Sequence, residues 1–195
     1  MPQLWAETIA AHRVEAREAI LDAAGELLRR RGLLALSMSE IAAAANIGRA
    51  TLYKYFADVE HVVAAWHERQ VAAHLAELSA MRDQAGDSDE RLRAACLAYG
   101  RICQQRQQHG DAELSAVLHR HQPTDQSQAK LVAIFADLIN EAAAAGAVRR
   151  DVPPGELAAY CLSALEAGST AASQAALDRL VEVVQTGLAA PRHVA

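Results

Sequence analysis

The stretch that decides the fold is Ser37-Met38-Ser39-Glu40-Ile41-Ala42-Ala43-Ala44-Ala45-Asn46-Ile47-Gly48-Arg49-Ala50-Thr51-Leu52-Tyr53-Lys54-Tyr55-Phe56. Its pattern is two short helices joined by a tight turn. Ser37 is a suitable N-cap, and Glu40 three residues on completes a capping box. Ile41, Ala42 and Ala45 then recur at helical spacing. Asn46 tolerates the left-handed backbone that a helix stop needs. Ile47 plugs the turn, and Gly48 serves as a weaker N-cap for the second helix. In that helix Leu52 and Phe56 face a core. Arg49, Ala50, Thr51, Tyr53, Lys54 and Tyr55 form the other face. Cations, a hydroxyl and two phenols on one helix-width are the chemistry that meets phosphates and base edges in a major groove.

The segments on either side extend this pattern. Ile20, Ala23, Ala24, Leu27 and Leu28 form the apolar stripe of a helix over about 13–31, which Gly32 ends. The helix closes on Arg29-Arg30-Arg31, which suits its dipole. These arginines either form a solvated last turn or reach a phosphate. After Phe56, Asp58 is placed to cap a fourth helix whose stripe is Val59, Val62, Val63 and Trp66.

The run Ile20-Leu21-Asp22-Ala23-Ala24-Gly25-Glu26-Leu27-Leu28, then Gly32, Ser37, Ile41-Ala42, Ala45-Asn46-Ile47 and Thr51-Leu52-Tyr53-Lys54-Tyr55-Phe56 resembles the DNA-binding domain of the TetR family of transcriptional regulators. Three consecutive helices match in order and spacing over roughly residues 13–66. The resemblance implies an all-α fold of about nine helices. It would have a helix-turn-helix DNA-binding domain over 1–57, with an N-terminal arm over 1–12, and a ligand-binding and dimerisation domain over 58–195. It assigns DNA contacts to Ser37, Arg49, Ala50, Thr51, Tyr53, Lys54, Tyr55 and His61. The chain departs from the family in two places. Val59-Glu60-His61 stands where many members carry a phosphate-holding lysine, and Gly48 stands where serine or threonine is common.

Composition sets limits on the remaining chain. Hydrophobic residues make up 52% and aromatics only 4%, so most of the apolar content is alanine and favours close-packed helices. A net charge of −5 argues against a general nucleic-acid coating protein, but it leaves room for a local cationic patch. No long uninterrupted apolar run suggests a membrane span, and Met1 to Glu7 lacks a basic-then-apolar leader, so the expectation is cytoplasmic. No phosphate loop, nucleophile elbow or paired catalytic set is present, so neither an enzyme nor a cofactor is expected. Cys96 and Cys103, seven apart, read as small buried hydrophobes or as a redox pair. His109, His119 and His121 invite a metal but lack a clear ligand spacing.

Further helices are expected over about 58–81, from an Asp87 or Ser88 cap to a stop within 104–110, and over about 111–121, 126–145, 154–169 and 174–188. Stripe positions and polar handles nominate Trp66, Tyr99, Cys103, Leu118, Phe135, Tyr160 and Cys161 for a mainly apolar effector pocket, with ordinary core packing as the rival reading. By resemblance the last two helices make a four-helix homodimer interface through Leu157, Ala164, Gly168, Leu177, Leu180, Val181, Val184 and Leu188. The rival reading is an intramolecular core. The expected partners are a double-stranded near-palindromic DNA operator, a small-molecule effector and a second copy of the chain. Against this regulator stands a helical small-molecule or protein-binding module with weak or lost DNA binding.

Overall fold

The computed structural model describes residues 2–108, 117, 124–170 and 173–190. Among these, eight α-helices appear in order: α1 (Pro2–Arg31), α2 (Met38–Ala44), α3 (Arg49–Leu52), α4 (Val59–Arg82), α5 (Ser88–Gln108), α6 (Thr124–Ala144), α7 (Pro154–Ala167) and α8 (Gln174–Leu188). A single 3-10 turn, Gly168–Thr170, follows α7. The helix expected over 111–121, with Leu118, His109, His119 and His121, lies outside the described residues except for Val117. Among the described residues, no helix is long and apolar enough to cross a membrane.

The helix stops follow from local chemistry. Gly32, at φ 74°, adopts the left-handed conformation and returns its N–H to Leu28 O at 2.9 Å, which closes α1. Asp87 caps α5, since its Oδ1 accepts from the N–H groups of Asp89 (2.8 Å) and Glu90 (3.1 Å). Gly146, at φ 87°, turns the chain out of α6. Arg150 then reaches back to the Ala143 and Ala144 carbonyls at 2.7 and 2.9 Å, satisfying the end of that helix. Pro154 occupies the first turn of α7, where its missing N–H costs nothing. Ser173 caps α8 through the Ala176 N–H.

The chain forms two compact units. The first extends to Gln70 and includes Val117; the second begins at Val71. The helix α4 runs through this division, ending in the second unit. In the first unit Ile20, Leu21, Ala24, Leu28, Leu36, Met38, Ile41, Ala42, Leu52, Phe56, Val62 and Val63 make one buried cluster. The α1 stripe is therefore centred on Leu21 rather than Ala23, which is half-exposed along with Leu27. Gly25 lies under the Trp66 indole, so a side chain at position 25 would collide with that ring. Arg69 locks the same two helices together, donating to Glu18 Oε2 at 2.6 Å and Asp22 Oδ1 at 2.7 Å. Burial alone would lower the Arg69 pKa, yet the two carboxylates hold it above its ordinary value.

In the second unit the core is formed by α5, α6, α7 and α8 with the end of α4. Phe135 is fully buried, and Tyr99 meets it edge-on with centroids 5.8 Å apart. Gly100 lets α8 approach α5, since a Cβ there would stand 2.5 Å from Leu177 Cδ1, and Leu177 is itself fully buried. Gly100→Val should thus destabilise the protein by about 1–3 kcal/mol through overpacking. Gly155→Ala, with nothing within 4 Å of the new Cβ, should be neutral or stabilising by up to about 1 kcal/mol. Urea unfolding of both variants distinguishes a packing requirement from a general intolerance of added methyl groups.

Candidate nucleic-acid interface

The expected turn is present. Asn46 takes φ 53°, the left-handed conformation, after α2 ends at Ala44. Ile47 N–H donates to Ala42 O at 3.0 Å, which holds the turn closed. The start of α2 is a variant of the capping box. Glu40 N–H donates to Ser37 Oγ at 3.2 Å, and the Ser37 hydroxyl donates to Glu40 Oε2 at 2.9 Å. Arg31 Nη1 donates to the other carboxylate oxygen at 3.1 Å, joining the end of α1 to the start of α2. The Ser37 hydroxyl proton is therefore already committed within the protein.

As an α-helix, α3 is only Arg49–Leu52. The expected helix to Phe56 continues as tighter turns, with Lys54 N–H to Thr51 O at 3.0 Å and Tyr55 N–H to Leu52 O at 2.9 Å. Burial of Leu52 and Phe56 orients this segment against α1. Arg49, Ala50, Tyr53 and Lys54 are exposed, and Thr51 is half-exposed. Tyr53 keeps 49% of its surface in solvent. Tyr55 is different, because it packs partly against the buried cluster and offers only part of its ring outward.

Charge pairing narrows the cationic face. Arg29 and Arg30 both pair with Glu26, and Arg31 pairs with Glu40. Arg17 lies over the Phe56 ring at 5.7 Å and beside Glu18. Arg49 and Lys54 have no ion-pair partner among the described residues, so they carry the free positive charge of the segment. At the start of α4, Asp58 caps the helix by accepting from the His61 N–H at 3.0 Å, and His61 Nδ1 lies 2.9 Å from the same oxygen. His61 is thus held against a carboxylate.

The geometry is that of a capped helix-turn-helix, and comparisons agree with it. The family model for bacterial regulatory proteins of the tetR family matches residues 20–65, and that for the C-terminal domain of SbtR-like transcriptional regulators matches residues 105–190. The chain belongs to the TetR family. A TetR-family transcriptional regulator from Pectobacterium atrosepticum is 28% identical over 92% of this chain and 96% of its own, with a TM-score of 0.72. A TetR transcriptional regulator from Streptomyces coelicolor is 26% identical over 89% and 98%, with a TM-score of 0.65. A TetR/AcrR-family regulator from Thermobifida fusca, 20% identical over 89% and 98% with a TM-score of 0.72, shares the fold. No curated protein matches the sequence.

The residues nominated for an effector pocket in this TetR-family chain fall in both units. Tyr99, Cys103, Phe135 and Cys161 are buried in the second unit's core. The Tyr99 hydroxyl donates to Glu166 Oε1 at 3.0 Å. Burial, then Cys103 and Glu166, push the Tyr99 phenol far above its ordinary value, so it stays protonated. Trp66 belongs to the first unit, where it packs over Gly25. Tyr160 is 47% exposed and lies across Gly187, so it points out of the core. Leu118 lies outside the described residues.

Most of the residues expected at a dimer interface are covered within the chain itself. Leu157, Leu177, Val181, Val184 and Leu188 are buried inside the single chain. Gly168 is filled by Leu180 of the same chain, whose Cδ2 would stand 2.5 Å from a Cβ. Ala164 packs on the same core. The apolar stripe of α7 is thus covered by α5 and α6, and that of α8 by α5 and α7. The outward faces carry Ala159, Tyr160, Ser163 and Ala167 on α7, with Arg179, Val183 and Gly187 on α8. The same faces also expose Glu156, Glu166 and Glu182, so no apolar stripe marks them in the sequence.

One pH dependence follows from the cap. Bonds to His61 hold the Asp58 carboxyl below its ordinary value of 3.8. A depressed folded-state pKa adds stability above 3.8 that is lost as pH falls through the folded value. Asp58→Asn keeps an acceptor for the helix N–H but not the charge. The wild type should therefore exceed the variant in thermal midpoint near neutral pH, and the gap should close on acidification below 3.8. A gap that persists in strong acid would assign the effect to shape rather than charge.

Proposed function

We propose that this chain is a ligand-responsive transcriptional repressor that binds a near-palindromic operator as a homodimer and is released by a small molecule. The observation that carries the DNA reading is the exposed, unpaired pair Arg49 and Lys54 flanking Tyr53 on a segment oriented by buried Leu52. Arg49 and Lys54 suit guanine edges; Thr51 and Tyr53 suit phosphates. Tyr55, half-buried, contributes through its exposed edge. Ser37 and His61 reach DNA only by sharing or exchanging their carboxylate partners, so their contribution is secondary.

So small a free charge makes a single subunit a weak binder. A twofold dimer placing two such segments in successive major grooves doubles the contacts and requires matching half-sites. We assign the dimer contact to the outward faces of α7 and α8 around Tyr160 and Val183, because the inward faces are already occupied. Tyr99, Cys103 and Phe135 mark the end of the second unit where a mainly apolar effector with one hydrogen-bonding group would sit. Its effect on DNA is bounded by its differential affinity for the two states of the protein. The proposed site of action is cytoplasmic, with no cofactor and no catalytic step.

Gel shifts on the DNA upstream of the chain's own coding sequence test the central reading. A specific complex should form at a near-palindrome, with affinity falling as salt rises along a log–log slope of roughly −3 to −5. The double variant Tyr53→Ala, Lys54→Ala should lose at least about tenfold in affinity, in line with ~1–3 kcal/mol per good contact. Specific binding that survives this change would mean the wrong face has been assigned, and no salt-sensitive complex at any near-palindrome would favour a helical binding module without DNA function.

The dimer assignment is tested by sedimentation velocity. Val183→Arg on the outward face should shift the chain toward monomer while leaving its helical circular dichroism unchanged. An unaltered dimer would move the interface elsewhere.

A further inference from the structure

Two thiols face each other in the core of the second unit. Cys96 on α5 and Cys161 on α7 bring their sulfurs to 3.5 Å across 65 residues of chain, and both are fully buried. The Cys96–Cys103 pairing that the sequence spacing suggested is ruled out by helix geometry. Seven residues along one helix rise about 10.5 Å, beyond the reach of a disulfide. The third thiol, Cys103, is also buried and lies beside the Tyr99 hydroxyl instead.

We propose that Cys96 and Cys161 are an oxidisable pair that forms a reversible intrachain disulfide, bolting α5 to α7. The sulfurs need to approach by about 1.5 Å to reach the bonded distance of about 2.04 Å. With hydrogen peroxide as the oxidant, the thiolate of one cysteine attacks a peroxide oxygen and the O–O bond breaks. This gives a sulfenic acid and hydroxide, which takes the released thiol proton and leaves as water. The second sulfur then displaces the hydroxyl from the sulfenic sulfur, forming the S–S bond and a second water. Two thiols are oxidised and one peroxide is reduced to two waters.

Burial sets the tempo of this step. The bond to Cys161 and then desolvation push the Cys96 thiol well above its ordinary value, and neither sulfur touches solvent. Oxidation therefore waits on local opening of the core and is slow against that of an exposed thiol. Once made, the cross-link closes a long loop and resists unfolding. It would hold together two of the helices that frame the proposed effector site, although the proposal does not rest on DNA binding or on any effector.

The test uses the wild-type full chain, reduced and then exposed to hydrogen peroxide. After denaturation and alkylation, the intact mass should show loss of two hydrogens and only one of the three thiols free. Peptide mapping should link the Cys96 and Cys161 peptides and find Cys103 alkylated. The thermal midpoint should rise by several degrees and return on adding dithiothreitol. Cys103→Ser should behave as wild type, whereas Cys161→Ser should yield no intrachain cross-link. Three free thiols after prolonged oxidation would overturn the proposal, as would a cross-link that includes Cys103 or joins two chains.

Discussion

The surface proposed to face DNA depends on burying Leu52. As α-helix, the segment that carries Arg49, Tyr53 and Lys54 is a single turn, Arg49–Leu52. A turn this short has no stability of its own in water, since nucleation costs more than one hydrogen bond returns. Its shape and direction come from Leu52 and Phe56, which are held in a cluster with Ile20, Leu21, Ile41 and Val62. Burying a side chain of that size stabilises by about 1.5–3 kcal/mol, more than the turn can gain locally. Every outward side chain on the segment is aimed by these inward ones. The left-handed Asn46 and the Ser37–Glu40 cap then fix where the segment begins.

Electrostatics works against this surface as much as for it. The first unit is rich in arginine, yet Glu26 engages two arginines at the end of α1, Glu40 engages Arg31, and Glu18 with Asp22 engages Arg69. These pairs are partly exposed, and each contributes little to stability. Their larger consequence is to remove positive charge from the field that DNA would meet. What remains on the helix-turn-helix segment is Arg49 and Lys54. A protein so arranged gains little from non-specific attraction and must rely on correctly placed contacts, which favours discrimination between sequences over raw affinity.

Local punctuation was legible in the sequence, and coverage was not. Gly32, Asn46, Asp58, Asp87, Gly146 and Pro154 each announce a stop or start through backbone chemistry that acts within a few residues. The three-helix order of the first unit could be read for the same reason. An apolar stripe tells only that a face is covered, never by what. Leu177, Val181 and Val184 look the same in sequence whether they meet α5 of their own chain or a second copy. In alanine-rich helices the stripe itself blurs, so Ala23 reads as well as Leu21 although only Leu21 is buried. The partner of Cys96 lies 65 residues away and has no local signal at all.

The burial of those stripes changes what the last two helices can do. Because α5 and α6 cover the inner face of α7, and α5 and α7 that of α8, both helices belong to a finished core and keep a second face in reserve. That face mixes small residues, which lose little side-chain entropy on ordering, with charged ones such as Glu156, Glu166, Arg179 and Glu182. Two larger apolar groups stand out on it, Tyr160 at 47% and Val183 at 63% exposure, and Tyr160 is braced across Gly187. Small residues around a braced aromatic anchor suit close approach by a helix pair of the same kind. Since the subunit core is complete without that contact, the folding of one chain and the pairing of two are separate equilibria. Pairing through that face would then respond to concentration without unfolding the subunit.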